Sequence, residues 1–176
     1  MKKIVIVCTV FIFGFSAFPK NENPIDCSVT DKGVVISGVR WATRNVDAPG
    51  TFVQNSEDIG GHFTWYEAQN ACPRGWRVPT EEEFLSLFWA GNERTTTRNG
   101  VSGRFFGTAS YQIFFPAAGF RDSDGVVHYV DTEALYWSST QYKAGNARSL
   151  FFRVGIVVPR NLFCRQSGLS VRCVAE

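Results

Sequence analysis

Residues 64–91, TWYEAQNACPRGWRVPTEEEFLSLFWAG, carry both helix signals of this chain and so decide its fold class. Thr64 stands before helix-forming residues and reads as a cap, and the helix it opens stops at Ala71, ahead of Cys72-Pro73. Gly75 to Pro79 is then a short extended link. Thr80-Glu81-Glu82-Glu83 is a capping box, with Thr at the cap and Glu three residues later. The helix that follows sets Phe84, Leu87 and Phe88 on one face and ends at Gly91.

Upstream of this pair, Val34–Val46 (VVISGVRWATRNV) predicts one or two short strands around Gly38, and Asp47-Ala48-Pro49-Gly50 predicts a turn. Downstream, the pattern is strand and loop. Residues 101–107, 112–115 and 126–130 read as strands, with a turn over 119–125. Tyr136-Trp137-Ser138-Ser139 opens a final block with strand candidates at 147–154, 156–158 and 169–174. Two helices early and many short strands late predict an α+β fold in one domain spanning residues 34–176.

Residues 1–18 have the pattern of a signal peptide. Lys2 and Lys3 begin it, Ile4 to Phe15 is apolar but short for a bilayer span, and Gly14-Phe15-Ser16 offers small residues near a cleavage point. Residues 19–33 are polar and read as an exposed lead-in. The chain is therefore expected to be exported, to the cell surface, the periplasm or the medium, with no membrane span in the mature part. Neither Cys8 nor Cys27 has the setting of a lipidated cysteine.

With 176 residues and a net charge of +2, the chain can bury one core and shows no basic run, so nucleic acid is not an expected partner. Export leaves Cys27, Cys72, Cys164 and Cys173 where disulfides persist, and spacing alone does not choose among their three pairings. There is no CxxC and no zinc-type spacing. His62 and His128 stand alone and read as surface or satisfied histidines. No metal or cofactor is expected. Asp122, Asp124 and Asp131 are spaced like a cation-holding loop, but a solvated turn is the preferred reading.

The C-terminal block, residues 146–174, reads NARSLFFRVGIVVPRNLFCRQSGLSVRCV. A half-buried strand alternates apolar and polar residues. Here Leu150, Phe151 and Phe152 are consecutive, Ile156, Val157 and Val158 follow Gly155, and Leu162, Phe163 and Cys164 follow Pro159 and Arg160, where a loop should be polar. Either the segment is buried on both faces, with Cys164 bridged to Cys27, or its apolar groups are displayed for a partner.

Several phrases together resemble one family. Thr64 to Cys72 is similar to the first-helix signature of C-type-lectin-like domains. Cys72-Pro73-Arg74-Gly75-Trp76-Arg77-Val78-Pro79-Thr80, Tyr136-Trp137-Ser138-Ser139-Thr140 and Ser170-Val171-Arg172-Cys173-Val174 resemble the FISUMP major-paralogous-domain family of exported bacterial proteins, and Val39 to Val46 fits it too. The resemblance implies a C-type-lectin-like fold, two helices packed on a twisted antiparallel sheet with long loops. It also implies a Cys72–Cys173 bridge. Calcium-dependent sugar binding is not implied, because the EPN, QPD and WND triplets are absent and Trp137-Ser138-Ser139 stands near where WND would be.

The C-terminal block further resembles the variable segment of proteins diversified by retroelements, in which a reverse transcriptase miscopies adenines in AAC codons. The frame matches at Asn146, Ala147, Arg148, Leu150, Phe152, Val157, Pro159, Arg165, Gly168 and Val171 to Val174. The intervening residues, Phe151, Arg153, Ile156, Val158, Asn161, Leu162, Phe163 and Cys164, are all reachable from AAC, and none is Trp, Met, Lys, Glu or Gln. The resemblance implies that these eight are ligand-binding positions and that Phe152 and Val157 face the core. On this reading Ser at Phe151, Ile156 and Phe163 would abolish binding and leave stability nearly unchanged.

The function expected is a non-enzymatic, receptor- or adhesin-type domain that engages a protein or glycan on a cell or phage surface through residues 151–164. Two alternatives stand beside it. One is an enzyme similar to formylglycine-generating enzymes with Cys164 as a lone nucleophile. The other is a structural subunit at the tip of a surface fibre.

Overall fold

The computed structural model describes residues 31–92 and 95–176. The expected signal peptide, Cys27 and the lead-in up to residue 30 lie outside the described residues. The end of the lead-in is not wholly exposed. The Asp31 carboxylate is buried, accepting from the Gly33 and Thr43 amides, the Thr43 hydroxyl and Arg44 Nε.

Twelve strands and two helices occur among the described residues. In chain order they are β1 Val34–Ile36, β2 Val39–Asn45, α1 Trp65–Ala68, β3 Trp76–Arg77, α2 Glu81–Trp89, β4 Thr96–Arg98, β5 Val101–Thr108, β6 Tyr111–Pro116, β7 Phe120–Arg121, β8 Val127–His128, β9 Glu133–Gln141, β10 Asn146–Arg153, β11 Ile156–Cys164 and β12 Arg172–Ala175. The sheets are antiparallel, in the orders β1-β2-β12-β3, β11-β10-β9, β4-β5-β6 and β7-β8.

The expected α+β, C-type-lectin-like arrangement is not what forms. Strand and bridge residues make up 49% of the described residues and helix 9%, so the architecture is mostly β in several small sheets. The helices are too short to make a layer. Helix α1 has four residues and buries only Ala68; α2 has nine and buries Phe84 and Leu87. Both begin with capping boxes, Thr64 with Glu67 and Thr80 with Glu83, but a cap starts a helix without setting its length. The first ends at Ala68 with Gln69 as its cap, three residues short of the expected Ala71, and most of the remaining apolar core comes from strands.

The β9–β10–β11 sheet lies between two apolar clusters. Leu135, Trp137 and Ala147 belong to the first cluster, with Ala42, Val46, Phe63, Leu169 and Val171. Ala134, Tyr136, Leu150 and Phe152 belong to the second, with Trp41, Phe84, Leu87, Phe106 and Phe115. A sheet covered on both faces needs no polar alternation, which explains the run Leu150-Phe151-Phe152 in its central strand.

Several strand boundaries differ from expectation; the last strand, expected over 169–174, is β12 from Arg172 to Ala175. β11 does not end at Val158 but runs through Pro159 and Arg160 to Cys164. Proline is tolerated because β11 is an edge strand, and the register against β10 shifts at that point. Strand β8 is only Val127–His128, because Tyr129 adopts φ 59° and leaves the extended region.

Cys72 is bonded to Cys173 over a separation of 101 residues, tying the end of the first helical segment to β12. The pairing implied by the family resemblance is present even though the fold that suggested it is not. Beside it, Arg172 is fully buried. Its Nε donates to Asn45 Oδ1 (2.9 Å), Nη1 to the Ala42 carbonyl (3.2 Å) and Nη2 to the Phe114 carbonyl (3.0 Å), and its guanidinium lies 4.5 Å over the Phe115 ring. Asn45 Nδ2 donates to Tyr136 Oη, which donates to the Pro116 carbonyl at 2.8 Å. Burial pushes Arg172 down to about 10 and Tyr136 up to about 12.

Candidate functional site

The β10–β11 hairpin turns at Val154-Gly155, where Gly155 takes φ 75° in the left-handed region. Opposed residues of an antiparallel pair share a face. Ala147 opposes Phe163, Ser149 opposes Asn161, Phe151 opposes Val158 and Arg153 opposes Ile156. The register shift gives β11 one extra residue between Asn161 and Val158, so these four pairs stay on one side. Phe152 with Val157, Arg148 with Leu162 and Asn146 with Cys164 occupy the other.

Six of the eight sequence-predicted binding residues therefore share a face: Phe151, Arg153, Ile156, Val158, Asn161 and Phe163. Leu162 and Cys164 are exposed but lie on the opposite side, near Arg148, which pairs with Glu81 at 2.8 Å and lies over the Tyr142 ring. The face with six is buried at one end and open at the other. Phe163 and Phe151 are half-buried and pack against the first core cluster, Phe163 edge-on to Phe120 at 5.0 Å. Toward the turn, Val158, Ile156, Arg153 and Val154 are exposed. Phe152 is buried and Val157 half-buried against the second cluster.

Polar groups on this face already have partners within the chain. Asn161 Nδ2 donates to Ser149 Oγ at 3.0 Å, and Arg153 lies 3.7 Å from Glu133 of β9. A shallow depression of about 490 Å³ opens beside Arg153, lined by Tyr129, Thr132, Glu133, Arg153, Val154 and Ile156. A second, of about 780 Å³, lies beyond the turn, among Phe88, Asn92, Thr95, Arg104, Val154, Gly155 and Val157. Val154 is common to both.

The wall facing the hairpin comes from β7 and the segment after it. Phe120 contacts Phe163 on one side and stacks with Tyr129 on the other. Tyr129 and Asp131 both have positive φ, at 59° and 63°, and the turn between them is closed by bonds from Thr132 and Glu133 to the Tyr129 carbonyl. Gly119 permits the approach, since a Cβ there would lie 2.0 Å from the His128 carbonyl. Asp122 Oδ1 accepts from the Asp124 and Val126 amides, and Oδ2 lies 2.6 Å from His128 Nε2. The His128 bond, with those two amides, holds the Asp122 carboxyl below its ordinary range. With its oxygens so engaged, Asp122 closes a turn and gathers no cation site with Asp124 and Asp131; among the described residues no three His, Cys, Asp or Glu groups converge.

His62, the other isolated histidine, is half-buried and meets the Ala118 carbonyl through Nε2 at 2.9 Å. Two exposed side chains of the depression, Tyr129 and Val154, escape sequence reasoning. Tyr129 lies twenty-two residues before Phe151 in a segment that reads as a plain strand. Val154 falls between frame and intervening positions, and only the hairpin geometry sets it at the turn.

No curated protein and no solved structure matches the chain. Among the described residues no helix is long and apolar enough to cross a membrane. The model of the Fibrobacter succinogenes major domain family matches residues 39–175, from the start of β2 to the end of β12. The chain belongs to the Fibrobacter succinogenes major domain family.

Proposed function

We propose that this is an exported, non-enzymatic binding domain of receptor or adhesin type, whose contact face is built on the β10–β11 hairpin and diversified by a retroelement. Family membership supplies no activity, so the support is local. One observation carries the reading: Phe151, Arg153, Ile156, Val158, Asn161 and Phe163 share one sheet face that opens to solvent at the hairpin turn. The residues between them, Leu150, Phe152 and Val157, face a separate core cluster. Side chains at Arg153, Ile156 and Val158 can therefore change without touching that cluster. Clustered exposed apolar groups of this kind mark partner surfaces.

The enzyme alternative requires a second reactive group beside Cys164. Cys173 is bonded to Cys72, and Cys164 sits exposed opposite Asn146 at the far end of the hairpin from the depression.

The gene tests the diversification directly. The codons of the eight positions should all end in C, and a template copy carrying adenines at the variable bases should lie nearby. Codons ending otherwise, or no such copy, sink the diversified reading and leave a binding face of fixed sequence.

A further inference from the structure

Asn99 and Gly100 are the one Asn-Gly pair in the chain, and they form the two-residue turn between β4 and β5, closed by Arg98 opposite Val101. Both have positive φ, at 48° and 84°, as a tight primed hairpin turn requires, and both are exposed. Asn99 Nδ2 donates to Glu57 Oε1. Glu57 also accepts from the Ser56 hydroxyl at 2.9 Å and lies 3.7 Å from Arg98 Nε. Asn99 and Ser56 hold its carboxyl below the ordinary range.

Glu57 thereby pins a loop. β2 holds both ends of residues 54–58, because the Val53 amide donates to the Asn45 carbonyl and Asn45 Nδ2 donates to the Ile59 carbonyl. Among the described residues, the hydrogen bonds and ion pairs from that loop to the β4–β5 turn all run through Glu57.

We propose that Asn99–Gly100 is a self-modifying site, at which the Asn99 amide converts to a carboxylate and so releases the 54–58 loop from the β4–β5 turn. The Gly100 amide nitrogen attacks Asn99 Cγ. An N–Cγ bond forms, the Cγ–Nδ2 bond breaks, and the displaced nitrogen takes the Gly100 amide proton and leaves as ammonia. Water then opens the resulting succinimide at either carbonyl, leaving aspartate or isoaspartate at position 99 and a proton in solution. No oxidant or reductant takes part.

The turn suits the attack. The Gly100 amide donates to no group among the described residues, and the space where a side chain would stand is open. Every other Asn in the chain is followed by a residue that carries a side chain. The bond to Glu57 sets the pace, since the Asn99 amide can turn toward Gly100 only when that charge-assisted bond opens. The product cannot restore the contact. A second carboxylate replaces the donor that Glu57 held, so like charges face each other. Isoaspartate also adds a methylene to the main chain, which lengthens a turn that the Arg98–Val101 pairing keeps at two residues.

The test incubates the purified protein in mildly alkaline buffer, beside a free peptide of residues 96–102. Intact mass should rise by the exchange of ammonia for water, and peptide mapping should place the change at Asn99 before any other Asn. The folded protein should convert more slowly than the peptide. Glu57→Ala should speed conversion by about fivefold, the worth of one exposed hydrogen bond to a charged acceptor, and Glu57→Gln should fall between. Converted protein and Asn99→Asp should both show faster amide exchange across residues 54–58, with exchange in β10 and β11 unchanged. An intact Asn99 after the peptide has fully converted, or another Asn converting first, overturns the site. A Glu57→Ala variant that converts no faster than the parent overturns the role of Glu57. Unchanged exchange across 54–58 after conversion overturns the release of the loop.

Discussion

Phe151 opposes Val158 across the hairpin, one step from Phe152 opposite Val157, and the two pairs look in opposite directions. Phe152 is buried against Phe106 and Tyr136, whereas Val158 is exposed. Neighbouring positions on one strand pair thus serve different ends.

That opposition predicts very unequal costs. Phe152→Ala should destabilise the domain by about 3–5 kcal/mol, the usual range for emptying a buried aromatic site. Ile156→Ser and Val158→Ser should each stay within roughly 0.5 kcal/mol, as surface substitutions do. Urea titration of the three variants checks this, and equal losses would place Val158 in the core.

Phe163→Ser differs from its neighbours. Sequence reasoning set Phe163 and Phe151 among the freely displayed residues, but both are half-buried on the first core cluster. Losing the edge contact with Phe120 and part of the apolar area should cost on the order of 2 kcal/mol. A Phe163→Ser variant as stable as Ile156→Ser would show that the aromatic contact is not formed in solution.

The Cys72–Cys173 bond closes a loop of 101 residues. In the chain-entropy picture, replacing both cysteines with Ser should cost about 4–5 kcal/mol, mostly by freeing the unfolded chain. Denaturation with and without reductant measures it; the reduced parent and the double variant should coincide.

Arg172→Met tests the buried polar network. The guanidinium serves Asn45 and two backbone carbonyls, and its removal leaves those acceptors in an apolar setting. A loss of roughly 3–5 kcal/mol follows from stranding buried partners. Near-neutral stability in the Met variant would mean that water reaches those carbonyls.

His62 gives the domain an acid-sensitive component. Burial lowers its pKa, against the opposing bond to the Ala118 carbonyl, and Arg121 adds to the lowering. The unfolded imidazole takes up its proton first, near its ordinary value of about 6.5. Stability is therefore full above that value and lost as pH falls through the folded one. The urea midpoint should drop between about pH 7.5 and about pH 5.5, and His62→Gln should flatten that drop. An unchanged slope in the variant would assign the effect elsewhere.

Local signals were legible in proportion to how local they are. Both helix starts could be read because Thr64 with Glu67 and Thr80 with Glu83 satisfy their bonds within four residues. The fold class could not, because it depends on how far each helix runs and on which residues fill the core. Trp41, Phe106 and Phe152 come from three separate strands. Pro159 misled for the same reason. It ends a strand in isolation, yet here it lies on an edge, a fact that only pairing reveals. For the candidate face, the interleaving of Phe152 and Val157 with Phe151 and Val158 was visible from the family frame. The burial of Phe163 was not, because it depends on Phe120, more than forty residues earlier.

Pro159 and the Arg160 beside it also bear on behaviour in concentrated solution. A nine-residue edge strand rich in Ile, Val, Leu and Phe is a template on which another copy could add its own strand. Proline removes one outward donor from the middle of that template, and the extra residue there bends the rest out of register. If two copies paired head to tail about the strand centre, Arg160 would meet Arg160, a like-charge opposition. The safeguard sits in the backbone and in one guanidinium, independent of what occupies the neighbouring positions. Apolar side chains can therefore accumulate on this strand without turning the domain into a seed for fibres.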